Sequence, residues 1–362
     1  MADNKKERIL KLMRDGVITQ DEALELLEKA GISGDGVGEE AFDNAGYRTQ
    51  NVDAGEALKS AFSGLGDSLK NVAKSIKRGV DENVDFSQGF PKVRATSFDI
   101  EKDLEGDFNA IEVDLSHVLL TIRPGENAHL KGTYKIYGGI DGSVENFLAT
   151  HTTSTVWQDV LTLSADSKRV GAKFELWLPE KQYEELKINA LSGKIDVKSV
   201  SADRISVTLL HGEVRLEELT ASELSVDSKN GNILALPEHV NKLSLKLVNG
   251  TIKFDGSFEE ADASLINGSI LLTQRDARAR KLSASVAHGD VKLSVPENLG
   301  LVGHARATFG GYKTRLNLLQ SPEFGKNGGA IVRNGEETLT FDLETKTGTI
   351  WLKDNTISGS EL

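Results

Sequence analysis

The chain has 362 residues, with 38 % hydrophobic, 27 % charged and only 6 % aromatic content, a formal net charge of −12 and no cysteine. The acidity argues against general nucleic-acid binding, which needs Lys and Arg clustered on phosphates. The missing cysteine excludes disulfide scaffolds, thiol nucleophiles and cysteine-based zinc sites.

The N-terminus, MADNKKERILKLMRDG, lacks the apolar core of ~7–15 residues and the small-residue cleavage site of a secretory signal. No window of the sequence approaches ~18 uncharged apolar residues, the minimum for a spanning helix. These features predict a protein that is cytoplasmic or peripheral to the membrane, with the cell surface reached by non-classical export as the alternative.

Residues 1–31 carry the pattern of a helical hairpin. Ile9, Leu10, Leu12 and Met13 fall near one face, and Gly16 stops the first helix. Thr19 and Glu22 then have capping-box spacing, Ala23, Leu24, Leu26 and Leu27 supply the second apolar face, and Gly31 ends it. The second helix, QDEALELLEKA, is acidic, which disfavours a DNA-recognition role. Residues 32–92 have the composition of a flexible linker, broken by an amphipathic helix at about 55–80. There Leu58, Phe62, Leu65, Leu69, Val72 and Ile76 form a heptad-type seam, with Lys70, Lys74, Lys77 and Arg78 in its second half. Such a helix can dock on the rest of the chain, self-associate, or lie on an anionic membrane surface.

From residue 93 to 358 no segment predicts a helix, and stretches such as IEVDLSHVLLTIRPG, DVLTLSADS and AKFELWLPE alternate with period two. From residue 186 the pattern itself repeats: LKINALSGKIDV, ISVTLLHGEVRL, LSVDSKNGNILAL, LSLKLVNGTIKF, ADASLINGSILL, LSASVAHGDVKL. Their glycines, Gly193, Gly212, Gly231, Gly250, Gly268 and Gly289, recur about every 19–20 residues. Gly310, Gly328 and Gly348 extend the series more loosely, and TKTGTIWL around Gly348 restores it. A meander of hairpins and a parallel β-solenoid both fit. Asn-Gly suits a type I′ hairpin, but the residue before glycine is also Ser192, His211, His288 or Thr347. Only the glycine is constant, which favours a corner with one permissive residue over a strict hairpin turn. A fixed period also stacks like on like. Leu224, Leu243 and Leu282 would share one interior column, and Ile195, Val214, Ile233, Ile252, Ile270 and Val291 another.

The W-L-P strand end (Trp177, Leu178, Pro179), followed by LKINALSGKIDV and the serial glycine coils, resembles the bacterial putative-adhesin β-strand-repeat family, a domain family of unknown function. The opening KKERILKLMRDGVITQDEALELLEKAG is similar to the short helical (SHOCT-like) module preceding this domain in YvlB-like and LiaX-like proteins of Gram-positive bacteria. The resemblance implies a right-handed solenoid and a role in the cell-envelope stress response, with links to antimicrobial-peptide sensing and a two-component pathway. It transfers no functional residue.

The chemistry-bearing residues are sparse. None of the seven histidines pairs at i, i+4, and His211 and His288 share the repeat position of Asn249, so a turn role is expected. Glu259, Glu260 and Asp262 cluster in what looks like a connection between coils, a solvated face rather than a catalytic pair. Gly-Gly pairs at 138–139, 310–311 and 328–329 lack a phosphate-loop context. The expectation is therefore no catalytic residue, no metal and no cofactor. The chain is expected to be a non-enzymatic envelope-stress interaction protein with protein or envelope partners, possible anionic-membrane contact and possible homo-oligomers. The alternatives are a carbohydrate-binding or carbohydrate-active solenoid, disfavoured by the few aromatics, and a cytoplasmic regulator of a two-component or transcription partner.

Overall fold

The structure, a computed structural model, describes residues 95–140, 142–318, 325 and 328–355. The expected hairpin at 1–31, the linker and the amphipathic helix with Leu58, Phe62, Leu65, Leu69, Lys70, Lys74, Ile76, Lys77 and Arg78 lie outside the described residues.

The stack begins with β1 (Ala95–Asp103), β2 (Ala110–Gly125) and β3 (His129–Tyr137), then helix α1 (Val144–His151) and β4 (Thr152–Trp157), β5 (Val160–Ala165) and β6 (Val170–Pro179). The regular coils are β7 (Gln182–Lys198), β8 (Ser201–Glu217), β9 (Thr220–Leu236), β10 (His239–Gly256) and β11 (Phe258–Gln274). The next coil is split into β12 (Lys281–His288) and β13 (Val291–Pro296), followed by β14 (Gly300–Arg315), β15 (Gly329–Arg333) and β16 (Thr338–Asn355).

LSLKLVNGTIKFDG belongs to one continuous strand, β10, whose neighbours β9 and β11 both run parallel to it, so it is a coil of a solenoid and not a hairpin. The physical reason lies in its alternation. Leu243, Leu245 and Leu247 are buried, and then the phase shifts so that Ile252 and Phe254 are buried. A phase shift across Asn249-Gly250 turns the chain through a corner, and the two halves face each other across the core. The half before the glycine and the half after it thus present two separate outward surfaces, here the first and second faces.

Both predicted columns are present. Leu224, Leu243 and Leu282 lie in one buried row with Ala261 between the last two. The isoleucine–valine column runs from Ile195 to Val291 and on through Ile350 to Tyr312. Gly193, Gly212, Gly231, Gly250, Gly268, Gly289 and Gly348 have φ between 135° and 151°, where side chains are strained. A Cβ on Gly250 would also sit 1.6 Å from the Gly231 carbonyl oxygen.

Three features depart from the sequence expectations. Gly328 does not occupy the corner column; it has φ 91° and lies against Ala305 at the start of β15. The stack is not in chain order. The corner glycines run Gly289, Gly348, Gly310, because β16 sits between the β12–β13 coil and β14. The interior side chains explain the inversion. β16 buries Leu339, Phe341, Leu343, Ile350 and Leu352, whereas β14 buries Leu301 but otherwise offers Gly303, Ala305 and Ala307 with a partly buried Tyr312, so the better apolar coil takes the internal place. Finally, a helix does occur after residue 93. α1 is capped by Ser143 and buries Leu148, with Val144 and Phe147 packed on the core beside it. Arg169 holds the segment before it, donating to the carbonyls of Tyr137 and Gly139 and lying 5.6 Å from the Phe147 ring centroid.

Candidate binding groove

Outward-facing residues on the first face form straight rows, because equivalent positions in parallel coils lie about 4.8 Å apart. One row alternates in charge: Glu185, Arg204, Glu223, Lys242, Glu260, Lys281. Arg204 lies 3.4 Å from Glu185 and 3.7 Å from Glu223, and Lys242 lies 3.9 Å from Glu223. Exposed pairs of this kind contribute little stability individually, but a one-coil slip would oppose like charges, so the row helps fix register.

Past Lys281 this row continues through Thr340 to Val302 and Val332. The two valines are 45 % and 63 % exposed, at the end of a row that is charged from Glu185 to Lys281. They stand on β14 and β15, the strands displaced outward by the insertion of β16. The next row adds Asp262, Ser283, Asp342, His304 and Ala330. Together these rows line a groove of about 910 Å³. Its lining carries the carboxylates of Glu260, Asp262 and Asp342, the cations of Lys242, Lys281 and Arg306, His304, and the apolar lip of Val302 and Val332. Arg306 reaches Glu344, 3.8 Å away. Glu259, Glu260 and Asp262 are therefore not in a connection. They lie within β11, where the small inward residues Ala261 and Ala263 keep the alternation that the polar letters conceal.

A smaller hollow of about 430 Å³ lies at the other corner, between coils, lined by Glu180, Lys181, Tyr183, Ser199, Glu218 and Glu238 among others. Burial, with the nearby Asp107 charge, pushes the Tyr183 hydroxyl up to about 12, and it donates to the Pro179 carbonyl at 2.9 Å. That hydroxyl stays protonated at neutral pH, so it is no base. Ser199 and Glu218 make this corner with φ near 55°, and the Ser199 hydroxyl donates to Glu218 at 2.7 Å. That bond, the Lys198 ammonium and their charge attraction hold the Glu218 carboxyl below its ordinary range.

The residues preceding the corner glycines form a polar ladder on the edge of the stack. Asn267 donates to Asn249 and Asn249 to Asn230, both at 2.7 Å, and Asn230 donates to His211 Nδ1 at 3.0 Å. His288 pairs with Thr347 at 2.8 Å and His117 with Ser192 at 2.7 Å. Burial, and then the Lys229 charge, push His211 below its ordinary value, which suits the neutral acceptor this ladder needs. Among the described residues no cluster of three or more His, Asp or Glu side chains could hold a metal. The groove was not visible in the sequence. Its one local signal was a pair of exposed valines in HARATFGG-flanking and GGAIVR strands, whose meeting depends on the order of β12, β16, β14 and β15.

Fold and groove together define a parallel β-solenoid with a preformed, mixed-charge recess. The chain belongs to the Toastrack DUF4097 family, whose model matches residues 108–353. It is 26 % identical to the uncharacterized protein YvlB of Bacillus subtilis (strain 168), over 96 % of this chain and 98 % of that protein. Solved structures with a fainter likeness include a putative adhesin from Bacteroides fragilis (13 % identity, TM-score 0.31, 72 % of this chain and 97 % of that one). Another is a putative lipid binding protein from Parabacteroides distasonis (14 % identity, TM-score 0.35, 72 % and 97 %).

Proposed function

We propose that this protein is a non-enzymatic binding module of the bacterial cell envelope, and that the groove at the end of the first face is where it meets its partner. The observation that carries this is the apolar lip, Val302 and Val332, at the end of a charged row and beside three carboxylates. Exposed valines next to patterned charge suit an amphipathic polypeptide better than a sugar, which would call for stacked aromatic rings. A cationic amphipathic peptide would place apolar residues on the valines and cations on Glu260, Asp262 and Asp342. That is the chemistry of antimicrobial peptides and of basic amphipathic segments in signalling partners, in keeping with a stress-response role.

The chain has no cysteine, so Val332→Cys gives a single site for an environment-sensitive fluorophore. Titration with a cationic amphipathic peptide is expected to give a saturable signal that Val302→Asp weakens at least about tenfold, the scale of ~1.4 kcal/mol. No signal, or an equal signal from the Val302→Asp chain, removes the groove from the account. Location is a separate question. Among the described residues no helix is long and apolar enough to cross a membrane. We propose a cytoplasmic or membrane-peripheral location, with the cell surface as the alternative. Protease shaving of intact cells checks this: protection is expected, and external cleavage puts it at the surface.

A further inference from the structure

The two ends of the stack carry opposite charge at matching positions. On the second face, one outward row runs unbroken from Glu101 in β1, through Lys131 and Glu175, to Trp351 in β16 and Lys313 in β14. The row beside it begins at Asp103 and ends at Lys353 and Arg315. β1 is antiparallel to β3, and β3 is antiparallel to β6, which is parallel to the remaining coils. β1 therefore runs in the same direction as β14. Among the described residues no strand lies beyond β1, and β15 pairs with β14 only along Leu301–Ala305, so no described strand lies beyond β14 from residue 306 onward.

From this geometry we propose that β1 of one copy of the chain adds, parallel and in register, to the outer edge of β14 of the next copy, giving head-to-tail association. A shift along the stack puts Glu101 beside Lys313 and Asp103 beside Arg315. The half-buried Ile100 continues the interior column that reaches Tyr312. The cations at this end are crowded: Lys313 and Lys292 lie 4.1 and 5.6 Å from the Trp351 ring centroid, and Arg315 sits beside Lys353. The Glu101 and Asp103 carboxylates remain 58 % and 79 % exposed beside Lys131 and His129. An incoming acidic edge relieves that crowding. The new backbone ladder satisfies edge donors and acceptors that water would otherwise serve, apart from Ala307, whose N–H and C=O already bond the Tyr312 hydroxyl. A symmetric pairing of two β14 edges would oppose cation to cation. The contact is heterologous, so it propagates unless the rotation per copy closes a ring. This association is independent of the groove.

Sedimentation velocity of the full chain at low salt is the test. The wild-type chain is expected to associate with rising concentration, and association should weaken at least about tenfold on going from low to ~1 M salt, where surface charges are screened. Lys313→Glu with Arg315→Glu, and separately Glu101→Lys with Asp103→Lys, should each give a folded monomer by circular dichroism. Mixing the two variants should restore association, because the native acidic edge of one meets the native basic edge of the other and the two reversed edges are again opposite in charge. A wild-type chain that stays monomeric at every concentration in low salt overturns the proposal. So does self-association of either variant at the wild-type level.

Discussion

The corner glycine is the residue on which each coil depends. At Gly250 the backbone has φ 137° and a Cβ would meet the Gly231 carbonyl oxygen at 1.6 Å. Gly250→Ala is thus expected to lower unfolding free energy by about 3 kcal/mol or more, combining backbone strain with a steric clash, and denaturant melts will measure it. The residue before it has a looser requirement, a polar group that can join the ladder. His211 meets it as a neutral acceptor. Its folded pKa lies below its unfolded value of about 6.5, so the fold binds fewer protons than the unfolded chain in that window. Its contribution is complete above that pH and is lost as the pH falls toward the lowered folded value. His211→Asn should flatten this part of the acid loss when denaturation midpoints are compared between about pH 7 and 5, whereas an unchanged pH profile would assign the loss elsewhere, for instance to His117, which burial shifts in the same direction.

At the scale of elements, the regular coils were legible because a 19-residue repeat places identical chemistry at identical positions. The Gly193–Gly289 series and the isoleucine–valine column could be written down from the letters alone. The two ends could not. α1 has eight residues with Gly142 just before it, too short for its three apolar positions to outweigh the surrounding strand pattern. The order β12–β16–β14 is a long-range choice between two candidate coils, decided by which buries more apolar surface. β14 and β15 then need a fastening of their own. Arg333 of β15 donates to the carbonyls of Leu299 and Pro296 and pairs with Asp354 of β16, both side chains largely buried. Arg333→Met leaves Asp354 buried without its cation, at a cost on the order of 3 kcal/mol. Faster amide exchange confined to β14 and β15 is the expected signature, with the coils β7–β11 unaffected.

At the scale of the whole molecule, function follows from which surfaces the stack cannot cover. Interior columns and corner glycines are consumed in holding coils together, each coil stabilised by its neighbours. What remains is the outward rows, the end edges and the recess formed where chain order and stack order part. The groove and the basic end both exist because β16 is internal and β14 lies outside it, with β15 flanking only Leu301–Ala305 of β14. The absence of native cysteine makes this directly measurable. Ser283 and Asp342 are register partners on adjacent strands, and His304 lies one strand further on. Adjacent parallel strands hold Cα atoms within disulfide reach, and strands two apart, at ~9.6 Å, do not. Under mild oxidation, Ser283→Cys with Asp342→Cys should cross-link almost completely, and Ser283→Cys with His304→Cys should stay reduced. The opposite pattern would mean the coils stack in chain order, and the groove and the cationic end would both be lost from the account.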